Sequence, residues 1–222
     1  PHLKHIVVSG AEGHGHPRLG ALMDKASGSL PAAATKADEV AFWLYSSGST
    51  GAPKGVRHVH SSLIETARLY AQPLLSITEA DVFHSAAKLF FAYGLGNGMT
   101  FPLSVGATAV LNPGRPTPDG VRAILAEHQA TLFFGAPTLY AAMLADRGLE
   151  RGAGSKRLRL CVSAGEALPA DVGTRWKQTV GVDILDGIGS TEMLHIFLSN
   201  RPGSIRYGTS GEPVPGYSVM LL

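Results

Sequence analysis

The chain has 222 residues, enough for one large domain or two small ones. With 45% hydrophobic and 16% charged residues it can bury a sizeable core, which excludes a disordered chain. A formal net charge of +2 gives no footprint for nucleic acid or an anionic membrane, and no apolar run is long enough to span a bilayer. The single cysteine, Cys161, excludes an internal disulfide and a cysteine zinc cluster, as expected in a reducing cytoplasm.

In chain order, "LKHIVVSG" (3–10) reads as a short apolar strand and "LPAAAT" (30–35) as a linker. "EVAFWLYSS" (39–47) is an aromatic-rich strand that runs into the glycine loop "YSSGSTGAPKGVRHVH" (45–60), whose end, "VRHVH", is strand-like again. Ser62 followed by Glu65 has the spacing of a capping box, and Leu63, Ala67, Tyr70 and Leu74 continue at helical spacing. "DVFHSAA" (81–87) and "ATAVL" (107–111) read as strands. Thr117-Pro118 marks a helix start with Val121, Ile124, Leu125 and His128 on one face. "TLFFG" (131–135) is a strand, Pro137 opens a helix that should end near Gly148, and "GLERGAGSK" (148–156) reads as a polar surface loop. "LRLCVSAG" (158–165) is a strand, Pro169 starts a further helix, and "VDILDGIGSTE" (182–192) is a strand ending in a glycine-rich turn. Beyond Asn200 the texture becomes short strands and turns, ending in the strand-like "YSVMLL" (217–222). Neither end has the polar character of a natural terminus, so the expectation is a piece cut from a longer protein.

Strands that alternate with helices define the α/β class, with mostly parallel sheets covered by helices on both faces. Ligands of such folds sit beyond the carboxyl ends of the strands. Three glycine-rich turns follow strands, at 46–55, 163–165 and 186–190, and are expected to converge there.

In the first turn, Gly48 and Gly51 leave backbone amides unobstructed, Ser46, Ser47, Ser49 and Thr50 add hydroxyls, and Lys54 adds a point charge. Successive donors in a tight turn make an anion site. A plain hairpin turn is the alternative. A Walker loop needs Gly-Lys-Ser/Thr in sequence and opens a helix; here Pro53 and Gly55 flank the lysine and the hydroxyls precede it. The order disfavours a Walker-type kinase and points to a looser clamp, suited to releasing pyrophosphate.

This loop resembles the phosphate loop of the acyl-adenylate-forming (AMP-binding) enzymes, and the resemblance continues in "SAGEALP" (163–169), "DGIGSTE" (186–192) and "GTSGEPVPG" (208–216). "KLFFAYGLGNG" and "GIGSTEMLHIFLSN" look most like the aryl-CoA ligases, benzoate-CoA ligase among them. The resemblance implies that 1–205 are the central part of the AMP-binding N-terminal domain. It implies that 206–222 begin a β-rich, barrel-like subdomain, and that the C-terminal lid is absent. It implies ATP, Mg2+ and coenzyme A as reactants, a benzoate-like acid as partner, no nucleic acid or membrane, and a possible homodimer. Acid and ATP would give acyl-AMP and pyrophosphate, then CoA the thioester.

By the same resemblance, Glu192 is the magnesium carboxylate, Thr191 a donor to the α-phosphate, and Lys54 a phosphate ligand. Gly165, Glu166 and Ala167 would pass along one side of the adenine, with Asp186 and Gly187 on the other. Phe91, Ala92 and Tyr93 would make a flat apolar slot with one hydroxyl, covered by Gly187, Ile188 and Gly189. Phe91 stands where related ligases often carry a histidine. His195 follows Glu192 by three positions; if the stretch is helical both share a face, and His195 would reach the substrate carboxylate as a cation. A satisfied core histidine is the alternative. His58 and His60 alternate on one strand without a third metal ligand and read as loop support. Cys161 reads as an inert core thiol. No carboxylate stands where amino-acid-activating relatives bind the amine. Loading of a carrier protein, or nucleotide binding without catalysis, stays open beside the ligase reading.

Overall fold

The computed structural model describes residues 2–10, 12–46, 51–146 and 148–220. The chain divides into two compact units, Pro1–Thr35 and Lys36–Leu222, so the division falls at the end of the expected linker. In the first unit the expected strand 3–10 does not form. Its backbone makes a single bridge, Val8 to Arg18, before a short helix α1 (Leu19–Met23). With no second strand to pair along its length, "LKHIVVSG" has nowhere to place its backbone hydrogen bonds.

The second unit contains two sheets. Strands β1 (Val40–Ser46) and β2 (Lys54–Val59) form an antiparallel hairpin with Ser46 opposite Lys54. The hairpin is antiparallel within a mostly parallel fold, because so short a connection cannot make a parallel crossover. Helix α2 (His60–Thr66) continues through a π-helical turn, Ala67–Ala71, into α3 (Gln72–Leu75). The capping box does not form: the helix begins at His60 behind Val59, and Glu65 accepts from Arg68 Nε at 3.0 Å instead. A second such run passes from α4 (Ala92–Leu95) through Gly96–Thr100 into α5 (Phe101–Val105). Each π-turn lies just ahead of a proline, Pro73 or Pro102. Proline lacks the N–H for the i−4 carbonyl and its ring crowds that carbonyl, so the preceding turn widens.

The remaining strands are β3 (Val82–Ser85), β4 (Thr108–Val110), β5 (Leu132–Gly135), β6 (Leu160–Ser163), β7 (Ile184–Gly189), β8 (Ile196–Ser199) and β9 (Glu212–Pro213). Helices α6 (Pro118–His128), α7 (Pro137–Leu144) and α8 (Ala170–Val180) connect them. The sheet order is β4-β3-β5-β6-β7-β8-β9; the first five are parallel, and β7-β8-β9 pair antiparallel. The expected Thr117 cap is formed, its hydroxyl accepting from Gly120 N at 3.2 Å. Helix α7 stops at Leu144, earlier than expected, and 148–156 is not simply a surface loop. Its Ala153 and Ser155 are buried, and Ser155 Oγ donates to Ala130 O at 2.8 Å.

Burial on both faces explains the near-continuous apolar strands. Leu132, Phe134, Leu160, Val162 and Leu185 pack with Tyr70, Leu74, Leu75 and Phe101 on one side. The alternating residues Phe133, Cys161 and Ile184 pack with Leu125, Tyr140, Met143 and Trp176 on the other. Burial pushes the Cys161 thiol up, as suits an inert core group. No closed barrel forms among the described residues. Residues 206–220 contribute β9 and Val214, whose side chain is buried in the first cluster.

At the amino ends of the parallel strands, buried Asp81 receives Arg159 Nε at 2.9 Å and Nη2 at 2.8 Å, Thr131 Oγ1 at 2.7 Å and Thr78 N at 2.8 Å. Arg159 also donates to Leu75 O at 3.0 Å, so one ion pair ties three strand starts to the end of a helix. Burial opposes ionisation of Asp81, yet Arg159 and the hydroxyl and amide donors hold its carboxyl below the usual range. The stability it confers is present above roughly pH 4 and lost as pH falls through the lowered folded value. We expect Asp81→Asn to cost about 1–3 kcal/mol in denaturant unfolding at pH 7, a figure discounted for the partial exposure of Arg159. As pH falls through the lowered folded value the cost should shrink.

Candidate active site

The carboxyl ends of β5, β6 and β7 lie side by side, with Gly135 opposite Ser163 and Ser163 opposite Asp186. The loop after β6 therefore begins beside the middle of β7. In it Gly165 adopts φ +97°, a conformation open to glycine, and Gly165, Glu166 and Ala167 are exposed. Leu168 N reaches Asp186 Oδ2 at 3.4 Å. Asp186 is buried, which raises its carboxyl, and its side chain braces this loop.

The stretch 186–189, expected as a turn, is strand. Residues 184–186 pair with β6, and 187–189 pair with β8 on the other edge. Gly187 and Gly189 permit the second pairing: a Cβ on either would stand 2.7 Å from Leu198 O or 2.8 Å from His195 O. The turn proper is Ser190–Leu194. Met193 N donates to Ser190 Oγ at 3.2 Å, and Leu194 N to Thr191 O at 3.2 Å. Leu194 sits at φ +65°, a strained value for a side-chain-bearing residue. Glu192 is exposed at its tip. Bonds from its own backbone amide and Ser190, then the charge of Lys54, hold its carboxyl below the usual range.

No helix follows Glu192, so the helical face expected for Glu192 and His195 does not exist. β8 begins at Ile196, and His195 turns inward, 3% exposed. Its ring lies against Phe101 (4.5 Å), Tyr70 (5.3 Å) and Tyr93 (5.5 Å), and its Nε2 is 3.1 Å from Asn97 Oδ1. Desolvation pushes its pKa down to about 3. The expectation of a cation facing a carboxylate gives way to a neutral ring in an aromatic cluster. Asn97 has no signal in the sequence beyond its place between two glycines; the tertiary contact alone reveals it.

Ala92 and Tyr93 lie at the start of the α4 run, with exposed Phe91 just before it, its ring 4.7 Å from that of Phe90. The Tyr93 hydroxyl, expected as the slot's polar group, donates to Val162 O at 3.0 Å and lies 3.4 Å from Gly135 O. Burial raises its phenol well above the ordinary value. On β7, Ile188 is exposed and Gly187 buried.

Of the first glycine loop, Ser47, Gly48, Ser49 and Thr50 lie outside the described residues. Ser46 and Lys54 pair across its base, and Gly51 adopts φ +82°. His58, four residues beyond Lys54, brings its Nε2 to 2.8 Å from Thr191 O, joining the hairpin to the Thr191–Glu192 turn. His60 instead starts α2. Among the described residues no three His, Cys, Asp or Glu side chains gather to hold a metal by themselves.

With a lysine-bearing hairpin, a glycine loop after a parallel strand and a Thr-Glu turn on an α/β fold, the chain belongs to the AMP-binding enzyme family, whose pattern it matches over residues 3–222. Over its whole length it is 62% identical to benzoate–CoA ligase of Thauera aromatica. It superposes on a benzoate CoA ligase from Burkholderia xenovorans LB400 with a TM-score of 0.86 and 58% identity, over 91% of this chain and 40% of that one. The anthranilate CoA ligase AuaEII in complex with anthranoyl-AMP matches with a TM-score of 0.92 and 43% identity, over 98% of this chain and 42% of that one. The chain spans 42% of the length of the Thauera ligase.

A ring held neutral in the folded state refuses a proton that the unfolded chain accepts below about pH 6.5, so His195 destabilises the fold as pH drops from there towards 3. We expect its imidazole NMR signals to stay fixed between pH 5 and 8. A His195 midpoint near 6 would contradict this burial.

Proposed function

We propose that the chain is the central part of an ATP-dependent aryl-acid:CoA ligase acting on benzoate or a close analogue. In this reading 206–222 begin a β-rich subdomain, further segments of the protein complete the site, and the enzyme works in the cytoplasm. The carrying observation is adjacency in one stretch: β7 supplies Gly187–Gly189, the Thr191–Glu192 turn follows at once and is met by the hairpin bearing Lys54, and His195 just beyond lies against the Tyr93 ring. One element thus serves a flat aromatic ring at one point and phosphates at the next.

The substrate carboxylate attacks the α-phosphorus of ATP, and the bond to pyrophosphate breaks. The thiol of coenzyme A then attacks the acyl carbonyl, and AMP leaves. Lys54, Ser46 and Gly51, with Ser47, Gly48, Ser49 and Thr50, hold the outgoing phosphates. Thr191 donates to the α-phosphate, where charge builds up in the transition state. Gly165, Glu166 and Ala167 flank one face of the adenine, Asp186 and Gly187 the other. The ring lies between Phe91, Ala92 and Tyr93 and the strip Gly187, Ile188 and Gly189. His195 forms an uncharged wall, a surface suited to an aromatic acid without an amine. Mg2+ fits Glu192, a single exposed carboxylate kept ionised beside Lys54, because that ion takes one or two carboxylates plus phosphate oxygens and water. It would supply charge neutralisation at the phosphates.

Benzoate-dependent exchange of labelled pyrophosphate into ATP by the full-length protein tests the reading. Benzoate should exceed acetate or butyrate by about 100-fold, and added CoA should give benzoyl-CoA. Equal rates with aliphatic acids would overturn the aryl assignment, and acyl transfer only to a carrier protein would overturn the acceptor. Glu192→Gln should lower the exchange rate by about 100-fold and raise the magnesium requirement. Lys54→Ala should act on the KM for ATP by about tenfold.

A further inference from the structure

We propose that His58 is a positioning residue: a latch that holds the Thr191–Glu192 turn against the glycine-loop hairpin and so keeps Glu192 within reach of the phosphates. The proposal rests on the phosphate and magnesium roles given to Thr191 and Glu192 above.

His58 is 4% exposed in β2, its ring stacked on Phe42 of β1 at 5.2 Å between centroids. Its Nε2 lies 2.8 Å from Thr191 O, across 133 residues of sequence. A carbonyl only accepts, so Nε2 carries the hydrogen. Among the described residues this bond joins the two-stranded sheet to the turn between β7 and β8.

The acceptor is the carbonyl that also closes the turn, receiving Leu194 N at 3.2 Å. Both lone pairs of Thr191 O are thus engaged, one by the turn and one by the hairpin. The turn needs an outside hold, because Leu194 at φ +65° is a conformation that persists only when its surroundings over-determine it. The partner is backbone, so the latch works whatever side chain occupies position 191. Lys54 lies on the same strand, four residues away, and already acts on the Glu192 carboxyl. Movement of the hairpin therefore moves the phosphate-binding lysine and the turn together.

The plainer role is packing alone, with His58 as an aromatic partner of Phe42. Two variants of the full-length protein separate the two. His58→Gln keeps an N–H donor at similar reach; His58→Met keeps bulk without a donor. We expect His58→Met to raise the half-saturating magnesium concentration and the KM for ATP in pyrophosphate exchange by roughly tenfold, with His58→Gln recovering most of the loss. In the protein free of nucleotide and metal, amides of residues 190–194 should exchange faster in His58→Met than in wild type or His58→Gln. Should His58→Met lower the Tm markedly, His58→Phe, which keeps a ring on Phe42, replaces it. Wild-type exchange and kinetics in the donor-free variants would overturn the proposal, as would equal losses in His58→Gln. If the wild type shows no pyrophosphate exchange, the ligase reading fails instead, and amide exchange in the free protein still decides whether His58 holds the turn.

Discussion

The architecture depends on the way β7 changes partners. Its first half is a buried parallel strand beside β6; its second half is an antiparallel strand beside β8. Two glycines make the second half possible, because β8 approaches so closely that any side chain at Gly187 or Gly189 would meet backbone. From this one crossing follow the close approach of Gly187–Gly189 to β8, the inward turn of His195 and the Thr191–Glu192 turn between the two strands. A parallel strand of ordinary length would have ended at Asp186 in a loop.

The two ends of the parallel strands carry opposite kinds of chemistry. At the amino ends, Asp81 and Arg159 bond chiefly to each other and to groups of the protein, so that end serves stability. At the carboxyl ends Glu166 and Glu192 stay exposed, as does Lys54 on the hairpin, while desolvation keeps half-buried Tyr93 and buried His195 uncharged. This contrast suits the proposed ligand, with an apolar ring at one end and phosphates at the other.

Much of this was legible along the chain. The runs at 131–135 and 158–165, apolar at every position, announce strands buried on both faces, and the clusters around Phe133 and Phe134 are those two faces. Thr117-Pro118 announces a helix start by the local chemistry of its cap. Other local signals misled. Ser62 and Glu65 had capping spacing, but the helix was already under way from His60, and Arg68 took the glutamate. The two π-turns had a sequence cause in Pro73 and Pro102, which periodicity alone does not detect.

The sequence by itself determined the class of the fold and the order of its strands, helices and glycine-rich segments, since these depend on residue type and short-range spacing. Only the tertiary structure decided what His58 and His195 do. One histidine in a strand and one in a stretch rich in Met, Leu, Ile and Phe look alike in sequence. Contacts 98 and 133 residues away make His195 a neutral wall beside Asn97 and His58 the donor to Thr191. The state of an imidazole is set by what surrounds it in space, and that is fixed by which strands pair rather than by its neighbours along the chain.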